Sequence, residues 1–268
     1  MNINNNDITV VIPMYNSQKT IIRTLDSICN QTGINYIKEI VLVDDGSTDE
    51  TYNIVNDYRN HAKTNVRIIK KENSGVSSAR NIGIKSCDTK WIAFCDSDDF
   101  WVPKKLAVQA NFINNNIDVD FVGTNHTKKV LKILGKKIDT IHKATVKELC
   151  IKMYPQTSTV LIKKKVCEKC GYFDEKQRYS EDANFFIKVA HDFNYYYIPE
   201  QLVIYDNHQG ESRKSGLSRN LKEMHKGEKK NIREFYRLGY FSIFFYLILY
   251  IFYELKYFRR IIISKLYL

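Results

Sequence analysis

Three clusters of polar side chains follow predicted β-strands in the N-terminal part of the chain. They are Pro13-Met14-Tyr15-Asn16, Asp44-Asp45-Gly46-Ser47 and Asp96-Ser97-Asp98-Asp99. A parallel sheet binds its ligands just beyond the carboxyl ends of its strands. We therefore expect the three clusters to line one crevice that is rich in carboxylates and hydroxyls.

The last of these clusters predicts a metal ion. Carboxylates this close together raise one another's pKa unless a cation joins them, so Asp96, Asp98 and Asp99 indicate a divalent ion with Asp98 and Asp99 as ligands. Mg²⁺ and Mn²⁺ suit hard oxygen ligands and often take only one or two carboxylates, with substrate phosphates completing the shell. The alternative is an acidic loop that caps the next helix, where carboxylates are favourable. For Asp99 both interpretations stay open.

Asp44 and Asp45 also allow two interpretations. Asp-Asp-Gly-Ser is good turn and cap chemistry, and an acidic side chain at a strand end can instead accept a hydrogen bond from a ribose hydroxyl or a base. The run at residues 73–83 adds Gly75 for a tight turn and Arg80 one turn into a helix. Arg80 is expected to meet a phosphate or the carboxylates, or to be solvated.

Alternating strand and helix patterns predict the framework that positions these clusters. Apolar, β-branched runs predict strands at residues 8–12, 39–43, 66–70 and 91–95, and helical periodicity predicts helices at residues 18–30, 48–59 and 76–86. Ser47 followed by Glu50 predicts a capping box for the second helix. This alternation is typical of βαβ units and a largely parallel sheet, and so of an α/β fold.

The elements of the second half are predicted from the same patterns. A helix is expected to end near Asn114, strands at residues 158–163, 195–198 and 201–205, and helices at 165–170 and 181–192. Ser180 is the predicted N-cap of the last helix. Glu181 and Asp182 stand in its first turn, where either carboxylate would stabilise the helix.

The motifs together resemble those of a known family. Residues 12–16, 43–49, 73–83 and 96–99 are similar, in order and spacing, to the successive motifs of glycosyltransferase family 2, the inverting enzymes of GT-A fold. Ser180-Glu181-Asp182 resembles the later Glu-Asp motif of that family. The resemblance implies a Rossmann-like, mixed but mostly parallel sheet flanked by helices. It implies a nucleotide-sugar-binding half at 1–102 and an acceptor-binding and catalytic half of the same domain at 103–210.

The resemblance also implies a role for each matching residue. Asp182 corresponds to the catalytic base, with Glu181 beside it, and Asp98 to the metal ligand, with Asp99 beside it and Mn²⁺ or Mg²⁺ as the cofactor. Tyr205-Asp206-Asn207-His208 resembles a Tyr-Arg-x-His segment, with Asp206 where the family has arginine. The nucleotide-sugar-binding residues would be Pro13, Tyr15, Asp44, Asp45, Arg80, Asp96, Ser97 and His208.

The C-terminal part carries most of the net positive charge of this chain, whose formal net charge is +11. Residues 211–268 are expected to form a basic, aromatic helical tail. Within it the 16 residues 238–253 are uncharged and flanked by cations, which is short for a membrane span of about 20 residues. We therefore predict an amphipathic helix at an anionic membrane surface. The alternatives are a helix that packs on the core, or one that forms a homodimer.

The resemblance implies a metal-dependent hexosyltransferase that moves one sugar from a nucleoside-diphosphate sugar, with a UDP-hexose favoured, to a saccharide acceptor. The expected acceptor is a lipid-linked intermediate of bacterial O-antigen or capsule synthesis. Scattered cysteines without a secretory leader predict a cytoplasmic protein at the inner face of the cell membrane.

Two alternatives are weaker. A nucleotidyltransferase of similar fold would need a glycine-rich, arginine-containing loop after the first strand, which this sequence does not have. A basic nucleic-acid-binding protein is disfavoured because the acidic crevice would repel a phosphate backbone. We therefore expect no nucleic-acid partner.

Overall fold

A computed structural model describes residues 3–205 and 220–266. Its strands, in chain order, are β1 (Ile8–Met14), β2 (Ile37–Asp44), β3 (Asn65–Lys70), β4 (Trp91–Phe94), β5 (Phe100–Trp101), β6 (Phe121–Asn125), β7 (Leu131–Ile133), β8 (Lys136–Ile138), β9 (His142–Lys143), β10 (Leu161–Lys163), β11 (Tyr195–Gln201) and β12 (Val203–Ile204). Eight of them form one sheet in the order β3-β2-β1-β4-β10-β6-β11-β9. β5 pairs with β12, and β7 with β8, in two small antiparallel sheets.

The main sheet is mixed and mostly parallel, as predicted. β1 pairs in parallel with β2 and β4, and β2 pairs in parallel with β3. β10 runs antiparallel between β4 and β6, and β11 returns parallel to β6. The sheet is thus continuous from the N-terminal half of the chain into the second half. Its carboxyl-terminal edge at β1, β2 and β4 carries the three polar clusters.

Helices cover both faces of the sheet. They are α1 (Ile21–Cys29), α2 (Thr51–Tyr58), α3 (Val76–Ser86), α4 (Lys105–Asn114), α5 (Val146–Ile151), α6 (Lys164–Cys170), α7 (Glu181–Asp192), α8 (Leu221–Arg237) and α9 (Ile243–Leu266). Because side chains alternate along a strand, Val10 and Ile12 of β1 pack into one hydrophobic cluster, whereas Val11 packs into the other. The two clusters fix the sheet between its helical layers.

The predicted capping box at Ser47 is wrong. α2 begins at Thr51, and the carboxylate of Asp49 accepts the Thr51 N–H at 3.0 Å. The Ser47 hydroxyl instead accepts the N–H of Asn16 at 3.1 Å, across the crevice. The Glu50 side chain accepts from Asn53. Ser47 therefore joins the loops after β1 and β2 rather than starting the helix.

Two further local predictions need correction. The strand expected over 158–163 begins only at Leu161, because residues Thr157–Thr159 form a 3-10 turn. α7 has the predicted bounds, but Ser180 makes no side-chain capping bond. Ser180 has a φ of +58°, in the left-handed region, whereas an N-cap serine that reaches the helix N–H groups is extended.

The C-terminal helices α8 and α9 are part of the globular domain. Ile232 and Phe235 of α8 and Leu249 and Tyr253 of α9 are buried in the same cluster as β6 and α7. The Tyr253 hydroxyl donates to the carbonyl of Cys150 at 2.7 Å. One face of the predicted tail is therefore part of the hydrophobic core. This is the alternative in which the C-terminal helix packs on the core.

The opposite face of α9 is apolar and open to solvent. Eight of its side chains, each more than half exposed, recur at helical spacing along its 24 residues. We call this set the α9 stripe: Phe244, Leu247, Ile248, Ile251, Leu255, Phe258, Ile262 and Leu266. No helix within residues 3–205 and 220–266 is both long enough and apolar enough to cross a bilayer.

Candidate active site

The loop after β4 is fixed to the loop after β1 through Ser97. The Ser97 hydroxyl lies 2.6 Å from that of Ser17, and its carbonyl accepts the hydroxyls of Thr20 at 2.8 Å and Thr24 at 3.0 Å. The hydroxyl and the carbonyl of Ser97 are therefore both engaged in hydrogen bonds within the chain. Ser97 positions the Asp96–Asp99 loop over the crevice.

Asp44 and Asp45 are both buried at the end of β2, where they organise turns. One oxygen of Asp44 accepts the Ser47 N–H at 2.9 Å. The two oxygens of Asp45 accept the N–H groups of Ser74 at 2.9 Å and Gly75 at 2.8 Å, and Lys71 pairs with the same carboxylate. Asp45 therefore holds the loop that leads into α3, and a direct contact with nucleotide stays a prediction for both aspartates.

Pro13 and Tyr15 occupy opposite environments at the end of β1. Pro13 is buried within the strand, whereas the Tyr15 side chain is 50% exposed at the crevice. An exposed aromatic ring at the edge of a polar crevice offers a stacking surface to a nucleobase. Of the two, only Tyr15 has a ring free to make that contact.

Arg80 is the centre of the buried charge network. Its guanidinium donates to Asp96 Oδ1 at 2.8 Å and to Glu181 Oε1 at 3.3 Å, and lies 5.3 Å from the centre of the Phe173 ring. Burial opposes the charge of Arg80, but Asp96 and Glu181 outweigh it and raise the Arg80 pKa. Of the three environments open to Arg80 from sequence, the carboxylates are therefore the one observed.

Asp99 provides the observation that bears on a metal ion. Its Oδ2 accepts from Gln156 and Ser158, but Oδ1, fully buried, has no hydrogen-bond partner among the described residues. Burial and the charge of Asp96 raise the Asp99 pKa to about 8. A carboxylate in this state is costly unless a cation completes it, so the residues fit a divalent ion.

Asp98 and Tyr205 are more exposed than the buried Asp99. Asp98 is half-buried. Tyr205 is 42% exposed, and its ring packs edge-on to His126. Burial and the charges of Asp98, Asp99 and Asp96 raise the pKa of Tyr205. Within residues 3–205 and 220–266, no three His, Cys, Asp or Glu side chains could hold a metal by themselves. His208 lies outside the described residues.

Glu181 and Asp182 point to different surroundings from the first turn of α7. Glu181 is held by Arg80, and burial together with Asp182 raises the Glu181 pKa to about 7. Burial also raises the pKa of Asp182, while Arg80 is near enough to lower it and Asp96 to raise it. The Asp182 carboxylate accepts its neighbour's N–H, from Ala183, at 2.7 Å. Asp182 thus lies next to the charge network, but no hydrogen bond joins its carboxylate to Arg80 in the way that Glu181 and Asp96 are joined.

A cavity of about 730 Å³ lies on the other side of Asp182. Its walls come from the first turn of α7, from α8 and α9, and from residues 149–153. Most of the lining is apolar, with cations on α9. Asp182 therefore stands between the charge network around Arg80 and a second, largely apolar chamber.

Sequence reasoning missed the residues that support the carboxylates. Gln156 Nε2 donates to Asp99 at 2.8 Å and to Asp96 at 3.4 Å, and the Ser158 hydroxyl accepts the Asp96 N–H at 2.9 Å. Ser158 is the first residue of the strand predicted at 158–163, and Gln156 lies two residues before it. No periodic signal distinguishes such residues, since their role depends on a turn that approaches β4 only in the folded protein.

The model of the family described as "Glycosyl transferase family 2" matches residues 9–169, more than half of this sequence. The chain belongs to glycosyltransferase family 2. The matched region contains the Asp44, Arg80 and Asp96–Asp99 clusters. Family membership favours a sugar transferase over the nucleotidyltransferase and nucleic-acid-binding alternatives.

Curated relatives agree with this assignment. An uncharacterized glycosyltransferase of Methanocaldococcus jannaschii is 30% identical over 91% of this chain and 88% of its own length. WfaP of Escherichia coli, named UDP-Glc:alpha-D-GlcNAc-diphosphoundecaprenol beta-1,3-glucosyltransferase, is 36% identical over 44% of this chain and 49% of that protein. The chain spans only about a fifth of the length of the first relatives, glycosyltransferases of Rickettsia species.

A solved structure shares the fold. S. aureus TarS 1-349 in complex with UDP-GlcNAc superposes with a TM-score of 0.69 at 24% identity, covering 85% of this chain and 66% of that chain. The GT-A fold expected from the sequence is therefore confirmed, including the mixed sheet and a C-terminal helix.

Proposed function

We propose that this protein is an inverting glycosyltransferase that moves a hexose from a UDP-sugar to a lipid-linked saccharide acceptor in the synthesis of a bacterial surface polysaccharide. The observation that carries the proposal is the position of Asp182, between the charge network around Arg80 and the apolar cavity. A transferase needs two substrates to meet at one base. TarS, whose structure holds UDP-GlcNAc, supports the donor class, and the diphosphoundecaprenol acceptor of WfaP supports the acceptor class.

The donor binds on the sheet side. Tyr15 offers its exposed ring to the uracil, and Asp44 lies at the edge where a ribose or base would be met. Arg80 holds Asp96 in place and balances the buried negative charge. Ser97 and Asp45 fix the loops from which these side chains project.

Asp98 and Asp99 would hold a Mn²⁺ or Mg²⁺ ion together with the donor diphosphate. Such an ion stabilises the negative charge that develops on a departing diphosphate. Asp99 is suited to this by its unpartnered buried oxygen, and Gln156 and Ser158 fix the rest of its carboxylate.

Asp182 acts as the general base. It accepts the proton of the acceptor hydroxyl as that oxygen bonds to the anomeric carbon, while the bond from that carbon to the diphosphate oxygen breaks with its electron pair. Attack from the face opposite the leaving group inverts the anomeric configuration. Burial raises the pKa of Asp182 and makes it a stronger base than an exposed aspartate. Glu181, held by Arg80, is a positioning residue.

The α9 stripe attaches the protein to an anionic membrane surface from the cytoplasmic side. A row of exposed apolar side chains at helical spacing fits the interfacial region of a bilayer. Arg259 and Lys265 are exposed on the same helix, where cations contribute about 1 kcal/mol each near anionic lipid. This attachment brings the active site to a lipid-linked acceptor.

Calorimetric titration with UDP tests the donor half of the proposal. We expect UDP to bind with Mn²⁺ present and to bind much more weakly after chelation with EDTA. Transfer from a panel of UDP-, GDP- and dTDP-sugars then identifies the donor. A protein that ignores UDP and binds oligonucleotides with a steep salt dependence would contradict the proposal.

A further inference from the structure

The cavity beside Asp182 has a charge pattern that the donor reaction does not explain. Its cations are Lys152, Lys256, Arg259 and Arg260, and its carboxylates are Asp182 and Glu228. Positive charge therefore exceeds negative charge in a chamber whose other walls are mostly apolar. A sugar hydroxyl needs neither feature, whereas a phosphate attached to a hydrocarbon chain needs both.

The carboxylates of the cavity do not neutralise all of its cations, so positive charge remains to bind an anion. Glu228 is buried and pairs with Lys256 at 3.0 Å and with Arg260 at 3.1 Å, so one carboxylate serves two cations. Burial and the neighbouring Arg260 lower the pKa of Lys256. Arg259 is exposed and makes no ion pair with any described residue. An anion bound here would relieve the repulsion between these groups.

The cavity also opens on the α9 stripe. Leu255 belongs to both, because it lines the cavity and is 63% exposed. Phe252 and Arg259 lie next to it on the cavity side of the helix. A hydrocarbon chain can therefore run from the cavity onto the stripe without crossing a polar barrier.

We propose that this cavity binds the lipid-phosphate end of the acceptor, with Arg259 and Lys256 at the phosphate and the hydrocarbon chain leaving past Leu255 along the α9 stripe. The saccharide end then lies toward Asp182, at the inner wall of the cavity. This assignment rests on the proposed function and adds the site that holds the phosphate and the hydrocarbon chain of the acceptor, a phosphate or diphosphate ester of a long-chain alcohol.

Farnesyl diphosphate serves as a probe of this site. Calorimetry with the full chain in EDTA keeps a metal from carrying the probe's diphosphate into the donor crevice. Farnesol supplies the chain without phosphate, and inorganic diphosphate supplies the phosphate without the chain. We expect farnesyl diphosphate to bind at least about tenfold more tightly than either, since each lacks one of the two contacts.

Arg259→Gln and Lys265→Gln form a matched pair. Both cations are exposed on α9, but only Arg259 lines the cavity. Arg259→Gln should weaken farnesyl diphosphate binding about tenfold, in the range expected for one charge-assisted hydrogen bond. Lys265→Gln should leave it unchanged. Both variants should keep the melting temperature and the Mn²⁺-dependent affinity for UDP.

The proposal is overturned if Arg259→Gln binds the probe as wild type does, or if farnesol binds as tightly as farnesyl diphosphate. Equal binding of inorganic diphosphate would overturn it too, since that result indicates a site for free phosphate. The UDP titration of the same proteins tests the donor site independently of the acceptor site. If UDP binding persists while the probe results fail, only the acceptor site is wrong; if UDP binding is absent, the proposed function itself fails.

Discussion

The crevice proposed for the donor and the cavity proposed for the acceptor both adjoin Asp182, but they are built in opposite ways. The crevice consists of loops at the ends of neighbouring parallel strands, cross-linked by hydrogen bonds such as those of Ser97, Asp45 and Arg80. The cavity consists of helices α7, α8 and α9, with apolar walls and cations at one side. The crevice is therefore fixed before the donor arrives, whereas the cavity depends on how two C-terminal helices pack.

This difference suggests which part of the molecule sets which property. A polar network in which most groups are already paired favours one geometry, as binding a nucleotide diphosphate requires. An apolar chamber accepts a range of hydrocarbon shapes and relies on a few charged groups for selectivity. We therefore expect changes in the crevice to affect the chemistry, and changes in α9 to affect access of the acceptor.

The largest expected effect separates Asp182 from its neighbour. Asp182→Asn should lower turnover by roughly 100- to 10,000-fold, the usual contribution of a positioned general base, because the amide cannot take the proton. Donor affinity, measured by UDP calorimetry with Mn²⁺, should stay close to wild type. Glu181→Gln is the control and should lose less turnover. A greater loss of turnover in Glu181→Gln than in Asp182→Asn would show that Glu181, and not Asp182, is the base.

A metal-centred change should affect donor binding itself. Asp98→Ala should weaken Mn²⁺-dependent UDP binding by at least about 10- to 100-fold, the loss that even outer-shell partners of a metal site cause. Asp99→Ala should weaken it less, since its carboxylate is partly engaged by Gln156 and Ser158. Unchanged affinity in Asp98→Ala would remove the metal from this cluster.

The two faces of α9 offer a smaller but sharp contrast. Leu249 is 1% exposed and Leu247 is 51% exposed on the same helix. Leu249→Ala should lower the free energy of unfolding by about 2–5 kcal/mol, as for other buried leucines, with little direct effect on membrane binding. Leu247→Ala should change stability by less than about 0.5 kcal/mol and reduce binding to anionic vesicles in a flotation assay. Equal vesicle binding by Leu247→Ala and wild type would show that the stripe faces another partner.

The sequence was sufficient for the crevice because its parts are local. Strand patterns and the runs ending in Asn16, Ser47 and Asp99 predict both the elements and the edge at which they meet, and the bounds of α3 and α7 match the prediction. The start of α2 was wrong because Ser47 bonds across the crevice to Asn16. A local pattern could not show that contact.

The cavity could not be predicted in the same way. Residues 243–253 of α9 carry no charge on any side of the helix, so periodicity does not distinguish the buried face with Leu249 and Tyr253 from the exposed α9 stripe. The partners of α9 are distant in sequence, as the bond from Tyr253 to Cys150 shows. Only the packing of α9 on α8 and α7 shows that its cations lie beside Asp182.

The dependence of kcat/KM on pH tests the central claim, that Asp182 is the base where the two substrates meet. A base must be ionised, and burial raises the pKa of Asp182 above the ordinary aspartate value of 3.8. In wild type, kcat/KM should therefore fall as the pH drops through that raised pKa. The fall should begin at a higher pH than it would if the base were an exposed aspartate. The account predicts that this acidic limb persists in Glu181→Gln and disappears from the residual activity of Asp182→Asn. An acidic limb that survives in Asp182→Asn and vanishes in Glu181→Gln would contradict it.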